Sequence, residues 1–269
     1  MRKRTGPIDG TVPAHASAAT LVRGLEILRT FRKDDGTLGN QDLIERTGLP
    51  KATVSRLTQT LVALGYLHYH RDLGRYSIGP ATVALGYGAL RSSPVVHLAR
   101  PLMQRVAEET GAAVALGMID GLDVVYLASC RSLSPVSLRL SAGSRIPLWR
   151  TAMGLALLAD MEEARRRALL ARLVEREPDE AGRIRPLVEA ACAGYGAQGF
   201  VGVFGAWYSY INAVGVPVRP DDGSPPFALT CGGIVDILPR ERCLREIGPR
   251  VLQLRDDLAR AMDGRGGDA

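Results

Sequence analysis

Length, apolar content and charge limit what this chain can be. It has 269 residues, of which 46% are hydrophobic, and a formal net charge of +6. That length fits one large domain or two ordinary ones, with enough apolar residues for real cores. Residues 1–79 carry 12 Lys and Arg against 7 Asp and Glu, whereas residues 80–269 carry 22 against 21. The basic excess therefore lies in the first third, where a partner rich in phosphate would require it.

Neither export nor membrane insertion is expected. Residues 1–17 are basic and rich in small residues, which predicts a flexible tail, and no apolar run follows them as in a signal peptide. Residues 190–218 carry no charge, but six glycines and the polar Gln198 and Asn212 disfavour a membrane span. No CxxC pair occurs, which favours the reduced cytoplasm. The cysteines are Cys130, Cys192, Cys231 and Cys243.

The first third predicts three helices. An apolar stripe in residues 21–31 indicates the first, and residues 41–46 form a short second one that ends near Gly48. Pro50 suits the first position of the third helix, and Gly65 suits its end. The spacing of its apolar residues places one stripe toward a core. Those residues are Val54, Leu57, Leu61 and Leu64.

The opposite side of the third helix carries small, polar and basic residues, which packing against a core does not require. Two helices joined by a tight glycine turn are typical of a helix-turn-helix, whose second helix enters the major groove of DNA. There a guanidinium can pair with guanine and a methyl group can contact thymine. The residues predicted to contact DNA from this helix are Lys51, Ala52, Thr53, Ser55, Arg56 and Gln59.

Residues 66–79 alternate apolar and polar side chains around a polar tip, as in a β-hairpin. Three helices followed by a hairpin predict a winged helix-turn-helix. Arg71 and Arg75 at the predicted wing tip would reach phosphate or the minor groove. His68 and His70 share one face of a wing strand, which fits surface residues better than metal ligands.

The remaining residues predict a linker helix and an α+β domain. The linker helix covers residues 81–91, and its larger apolar residues predict a dimer contact; they are Val83, Leu85, Tyr87 and Leu90. A further helix runs to Thr110. Strands are predicted at 112–119, 123–129, 135–141, 199–208, 212–219 and 227–235. Further helices are predicted at 151–160, 162–174, 183–194 and 240–262.

No enzyme motif is convincing. Gly194, Gly196 and Gly199 match GxGxxG, but a helix precedes them and a strand follows, the reverse of a dinucleotide-binding turn. No nucleophile–base–acid arrangement is apparent, so we predict neither catalysis nor a cofactor nor a metal site.

Four segments resemble the IclR-type transcriptional regulators, over nearly the full chain. They are LVRGLEILRTF (21–31), IERTGLPKATVSRLTQTLVALGYL (44–67), GRYSIG (74–79) and AGSRIPLWRTAMGLALLA (142–159). The resemblance implies an effector domain of the GAF/PAS type with a curved sheet. The expected organisation is a tail (1–17), a winged helix-turn-helix (18–79), a linker helix (80–92) and an effector-binding and oligomerisation domain (93–264). The expected partners are double-stranded operator DNA, a small-molecule effector, and a second copy in a homodimer or a dimer of dimers.

By position, the resemblance assigns effector contacts to Ile146, Ala152, Met153, Gly202, Asn212, Thr230 and Gly232. Trp149 and Arg150 stand where the family commonly has a histidine and a small residue, and Leu155 stands where it commonly has a lysine. Trp149 could stack on a ligand or belong to the core, and Arg150 could pair with a carboxylate. We therefore expect aromatic carboxylates to bind better than glyoxylate or pyruvate.

Two alternatives to an effector-controlled regulator remain open. The second domain could have lost its ligand and serve assembly alone, or the chain could be an enzyme with an accessory DNA-binding module.

Overall fold

A computed structural model describes residues 18–32, 35–132 and 140–263 of the chain. The chain divides into two compact units, Met1–Ser92 and Ser93–Ala269. The predicted tail and residues 135–139 of the strand predicted at 135–141 lie outside the described residues, and residues 140 and 141 are not in a strand.

The first unit has the helices and hairpin that the sequence predicts. Its elements are α1 (Ala19–Arg29), β1 (Leu38–Gly39), α2 (Asn40–Thr47), α3 (Lys51–Ala63), β2 (Leu67–His70), β3 (Arg75–Ile78) and α4 (Pro80–Arg91). The strands form an antiparallel sheet in the order β1-β3-β2. Its core is small and apolar, consisting of Ile27, Leu38, Leu43, Val54, Leu57, Leu61, Leu67 and Tyr76.

Local chemistry sets the ends of α2 and α3. Gly48 adopts a left-handed conformation, with φ of 66°, and so ends α2. Pro50 is the residue before α3, one position earlier than predicted. Gly65, at φ 76°, ends α3 as predicted. This short turn fixes α3 against α2 in a helix-turn-helix.

The second unit is an α+β domain around one antiparallel sheet. In chain order its elements are α5 (Pro94–Thr110), β4 (Ala113–Asp120), β5 (Asp123–Cys130), β6 (Arg145–Pro147), α6 (Ala152–Ala159), α7 (Glu163–Arg176), α8 (Ala181–Gln198), β7 (Val201–Phe204), β8 (Ile211–Val218), β9 (Phe227–Ile234), α9 (Arg240–Arg242) and α10 (Gly248–Asp263). The strand order is β6-β5-β4-β9-β8-β7. A 3₁₀ turn precedes α8, and a π-helical turn, Cys243–Ile247, joins α9 to α10.

Each face of the sheet is covered by helices. Helices α5 and α10 pack with one face into an apolar cluster that includes Met103, Leu116 and Leu254. Helices α6, α7 and α8 form a second cluster with the other face, around Trp149 and Leu155. The strand predicted at 199–208 is shorter than expected, because residues 205–210 form a loop between β7 and β8.

The N-terminal end of α6 lies unusually close to the sheet. A Cβ atom on Gly154 would come within 1.9 Å of the Leu148 carbonyl oxygen, and one on Gly215 within 2.2 Å of the Ala152 carbonyl oxygen. Both contacts involve backbone, which cannot rotate away as a side chain can. Gly215 therefore allows the start of α6 to pack directly on β8, and Gly154 allows Leu148 to fold back onto the first turn of α6.

We predict that Gly154→Ala lowers the free energy of unfolding by about 1–3 kcal/mol, because the new methyl group overpacks a backbone contact. Gly196→Ala is the matched control, since Gly196 also lies within a helix but a Cβ there would meet no atom within 4 Å. We expect the control to be stabilised by about 1 kcal/mol through its higher helix propensity. Urea denaturation of both variants measures the difference, and equal stabilities would contradict the packing argument.

Candidate DNA-binding surface and effector cavity

Helix α3 exposes the side chains that the sequence assigns to DNA. Val54, Leu57 and Thr58 are buried and hold the helix on its core. On the other side Lys51, Ala52, Arg56 and Gln59 are exposed, whereas Thr53 and Ser55 are partly buried. Within the described part of the chain, no salt bridge involves Lys51 or Arg56. This surface therefore has cations that are not neutralised by the protein's own carboxylates.

The two predicted wing arginines have different environments. Arg71 is exposed in the turn between β2 and β3. Arg75 begins β3, and its guanidinium bonds to the carboxylate of Asp42 at 2.7 Å and to the carbonyl oxygen of Thr37 at 3.0 Å. The Gly39 amide and the Arg75 guanidinium hold the pKa of Asp42 below its usual value. Arg75 thus lies beside the turn, as predicted, and pairs with His70 across the hairpin, but its guanidinium joins the wing to the start of α2.

A cavity lies between the sheet and α6 in the second unit. Its volume is about 40 Å³, which admits water but is far below the ~300–1,000 Å³ of ordinary ligand pockets. Six residues that the sequence assigned to the effector line it: Ile146, Arg150, Ala152, Met153, Thr230 and Gly232. The other lining residues are Ala113, Ala115, Tyr126, Ser129, Leu140, Thr151, Val203, Trp207, Ile211 and Ala213.

Two polar atoms of this lining lack a partner within the protein. Arg150 Nε and Ser129 Oγ are buried and form no hydrogen bond in the described structure. Leaving such groups unpaired costs free energy, especially for a charged group. Thr151 differs, because its hydroxyl donates to the Pro147 carbonyl oxygen at 2.7 Å and caps α6. The cavity thus offers one cation and one hydroxyl to a ligand.

Tyr126 adds a neutral polar group to the same cavity. Burial raises the pKa of Tyr126 to about 12, a rise opposed by its hydrogen bond with Thr230. Its phenol is therefore protonated at neutral pH and places no negative charge beside Arg150.

Trp149 is a core residue that supports Arg150. It is fully buried and does not line the cavity. Its ring centroid lies 5.3 Å from the Arg150 guanidinium carbon, and its Nε1 donates to Glu177 at 3.2 Å. Of the two readings from sequence, the structure therefore favours the core aromatic, and Trp149 cannot be the wall on which a ligand stacks.

Gly202 and Asn212 lie on the wrong face of the sheet for the cavity. Asn212 is paired with Phe204, and its side chain donates to the Leu238 carbonyl oxygen at 2.8 Å. Their neighbours Val203 and Ala213 form the adjacent cross-strand pair and line the cavity instead. Since alternate strand residues face opposite sides, the assignment by position was one residue out of register.

A β-bulge explains two lining residues that sequence reasoning missed. The pairing of β4 with β5 shifts between Leu116 and Gly117, so that Leu127 is the extra residue on β5. The bulge lets Tyr126 and Ser129 face the same side although they are three residues apart. No simple alternation in the sequence would reveal this.

Comparison with known proteins agrees with the two units. The IclR helix-turn-helix domain matches residues 20–71, and the bacterial transcriptional regulator IclR C-terminal domain matches residues 87–260. The chain belongs to the IclR family. It is therefore a transcriptional regulator with a helix-turn-helix DNA-binding domain, and the enzyme alternative is set aside because the family consists of regulators.

Individual relatives extend over most of this regulator. The HTH-type transcriptional regulator TsaQ1/TsaQ2 of Comamonas testosteroni is 33% identical over 245 residues, covering 90% of this chain and 88% of its own. An IclR family regulator from Brucella abortus is 37% identical with a TM-score of 0.85, over 92% of this chain and 94% of its own. An IclR homologue from Microbacterium hydrocarbonoxydans, solved in complex with 4-hydroxybenzoate, shares the fold at 24% identity and a TM-score of 0.67, over 89% and 98%.

Three further observations concern membrane spans, thiols and metal ligands. No helix among the described residues is long and apolar enough to cross a membrane. The cysteines are free thiols. In the described ranges no group of three or more His, Cys, Asp or Glu could hold a metal ion, and His70 instead bonds to Ser77 at 2.9 Å.

Proposed function

We propose that this regulator binds operator DNA as a homodimer in the cytoplasm, and that a small carboxylate in the cavity of the second unit controls this binding. The observation that carries the effector proposal is the pair of buried, unpartnered atoms, Arg150 Nε and Ser129 Oγ, in one apolar cavity. A carboxylate supplies two acceptor oxygens, and a guanidinium pairs with it through charge-assisted hydrogen bonds. The complex of the Microbacterium homologue with 4-hydroxybenzoate suggests a first probe.

The DNA-reading role falls to the exposed side of α3. Arg56 has the exposure and the uncompensated charge to pair with a guanine edge, and Ala52 presents a methyl group for thymine. Lys51, Thr53, Ser55 and Gln59 would contact bases or phosphates beside them. Arg71 would reach phosphate from the wing, whereas Arg75 would contribute by holding the wing in place.

The homodimer is supported by an apolar surface on the first unit. Leu21, Leu64 and Leu85 are each more than half exposed, and together they border a groove of about 530 Å³ between α1, α3 and α4. Helix α4 contributes no buried residue of its own, and its Val83 and Tyr87 are also exposed. Apolar surface of this kind marks an interface. A second copy fits it, because one recognition helix reads few base pairs and symmetric half-sites require a dimer.

One observation favours a second candidate function, a domain that assembles without sensing. A cavity of about 40 Å³ cannot contain a benzoate-sized molecule unless its lining moves. Met153 is a flexible lining side chain, so its movement can yield space. The effector experiment below separates the two functions.

For the recognition helix α3, we predict that Arg56→Ala lowers operator affinity by about 1–3 kcal/mol, since a bidentate base contact is lost. The variant should also show a weaker preference at one base position of the operator. Arg71→Ala should lower the affinity for all DNA sequences by about the same factor. It should also reduce the salt dependence of binding by the equivalent of about one phosphate contact. Selection from random duplexes, followed by binding titrations at two salt concentrations, measures both effects. If the Arg56→Ala protein kept the base preference of the wild type, Arg56 would not be a base-contacting residue.

For the effector, we predict that 4-hydroxybenzoate raises the melting temperature of the full chain and changes its operator affinity, because a ligand of the folded state stabilises it. Arg150→Ala should weaken ligand binding by about 2 kcal/mol, roughly thirtyfold, with a smaller effect on DNA affinity in the absence of ligand.

Arg183→Ala is the matched control for Arg150→Ala. The Arg183 guanidinium also lies over the Trp149 ring, at 5.9 Å, but does not line the cavity. Calorimetry should give wild-type ligand affinity for this control. If no carboxylate in a panel that includes benzoate, pyruvate and glyoxylate binds, the assembly function replaces the sensing one.

For the dimer, we predict that Leu21→Glu combined with Leu85→Glu lowers the assembly state of the full chain, since two charges would be buried in the groove. Leu73→Glu is the control, because Leu73 is 63% exposed at the wing tip and outside the groove. Sedimentation at micromolar concentration measures the mass of each protein. A double variant with the mass and operator affinity of the wild type would place the interface elsewhere.

A further inference from the structure

The loop between β7 and β8 carries a row of three aromatic rings that ends at the cavity. Trp207 lines the cavity and is partly buried. The Tyr208 ring lies 4.6 Å from it, and the Tyr210 ring stacks on Tyr208 at 5.6 Å with an interplanar angle of 22°. Tyr208 and Tyr210 are 46% and 55% exposed, so the row leads from the cavity wall to the surface.

Backbone hydrogen bonds fix both ends of this loop. The Gly205 amide donates to the Ile211 carbonyl oxygen at 3.0 Å, and the Val235 amide donates to the Tyr210 carbonyl oxygen at 3.0 Å. Gly205 has a φ of 65°, which permits the turn that starts the loop. Trp207 is thus an indole held at the cavity, although it belongs to no strand or helix.

Trp207 is the largest aromatic side chain in a cavity lining that is otherwise mostly small or aliphatic. Apart from Trp207, Tyr126 and Met153, its apolar members are aliphatic, and Tyr126 already shares a hydrogen bond with Thr230. Trp207 packs against the apolar cluster around Trp149 and Leu155, whereas the outer rings, Tyr208 and Tyr210, are about half exposed. A flat ring beside Trp207 would complete an aromatic stack while its carboxylate met Arg150 and Ser129.

We propose that Trp207 is a specificity-determining residue that stacks on an aromatic ring of the effector, and that Tyr208 and Tyr210 hold the indole in position from outside. The proposal rests on the carboxylate-sensing function argued above and names its substrate class as aromatic carboxylates. It transfers to Trp207 the role that the sequence suggested for Trp149. Aromatic stacking adds ~0.5–1.5 kcal/mol beyond area burial, so a preference of about threefold to tenfold is expected over a saturated ring of similar size.

Benzoate and cyclohexanecarboxylate test this directly, because they share the carboxylate and the ring size but differ in aromaticity. Calorimetry on the full chain should give about threefold to tenfold tighter binding of benzoate. Trp207→Ala should remove this preference, whereas Trp207→Phe should retain most of it. Tyr69→Ala, a change at an exposed aromatic residue on β2 of the first unit and outside the groove, should leave both affinities unchanged.

Fluorescence supplies a second measurement that does not depend on the alanine variant. The chain contains two tryptophans, Trp149 and Trp207, and Trp207 alone of the two lines the cavity. Benzoate should therefore change the emission of the wild type, and most of this change should be absent in Trp207→Phe although benzoate still binds.

The outcomes separate the two proposals. If neither acid binds the wild type, the carboxylate-sensing function fails and the stacking role fails with it. If both acids bind equally well, or if Trp207→Ala keeps the benzoate preference, carboxylate sensing stands and the role of Trp207 is overturned. Loss of affinity for both acids by the same factor in Trp207→Ala would assign Trp207 to cavity shape rather than to ring recognition.

Discussion

The contact of residues 148–153 with the sheet is the constraint on which the cavity depends. Gly154 and Gly215 leave no space for a Cβ atom, so backbone meets backbone on both sides of the N-terminal end of α6. This contact places Arg150 and Thr151 at the cavity and buries Trp149 behind them. The Thr151 hydroxyl fastens the same segment by capping α6 at the Gly154 amide. Glycines at two positions that are far apart in the sequence thus determine where the Arg150 guanidinium lies in the cavity lining.

The structure also shows how far pattern reasoning reaches. The apolar spacing of α3 and the glycines around it predicted the helix-turn-helix, because a helix repeats every 3.6 residues and each signal is local. The residues that line the cavity were harder to predict, because many of them lie on strands whose register is set by long-range pairing. Gly202 and Asn212 were one residue out of register, and the bulge at Leu127 brought in Ser129 without any sequence signal. A slip of one residue exchanges the faces of a strand, so strand sites require pairing information.

Charged residues illustrate the same limit in the first unit. Arg75 is a cation, as expected of a residue that contacts DNA from the wing, and its position in the hairpin suggested exposure to DNA. Its actual partner, Asp42, is 33 residues earlier in the chain and carries the capping interaction with the Gly39 amide as well. The sequence predicts which side chains are cations, but the fold decides which cations are neutralised. Arg56 keeps its charge available because its neighbours on α3 include no carboxylate.

Trp149 connects the cation of the cavity to the outer helices without touching the cavity itself. Its ring lies against the Arg150 guanidinium, and its indole N–H donates to Glu177. Glu177 also accepts from Arg176, which in turn bonds to Asp123 at the start of β5. A ligand carboxylate and the Trp149 ring would both attract the Arg150 guanidinium, so binding would change the first contact of this series. Such a change shifts the protein between arrangements only to the extent that the ligand binds one arrangement better than the other. If the proposed carboxylate binds there, Trp149 would set how strongly Arg150 is held before the ligand arrives.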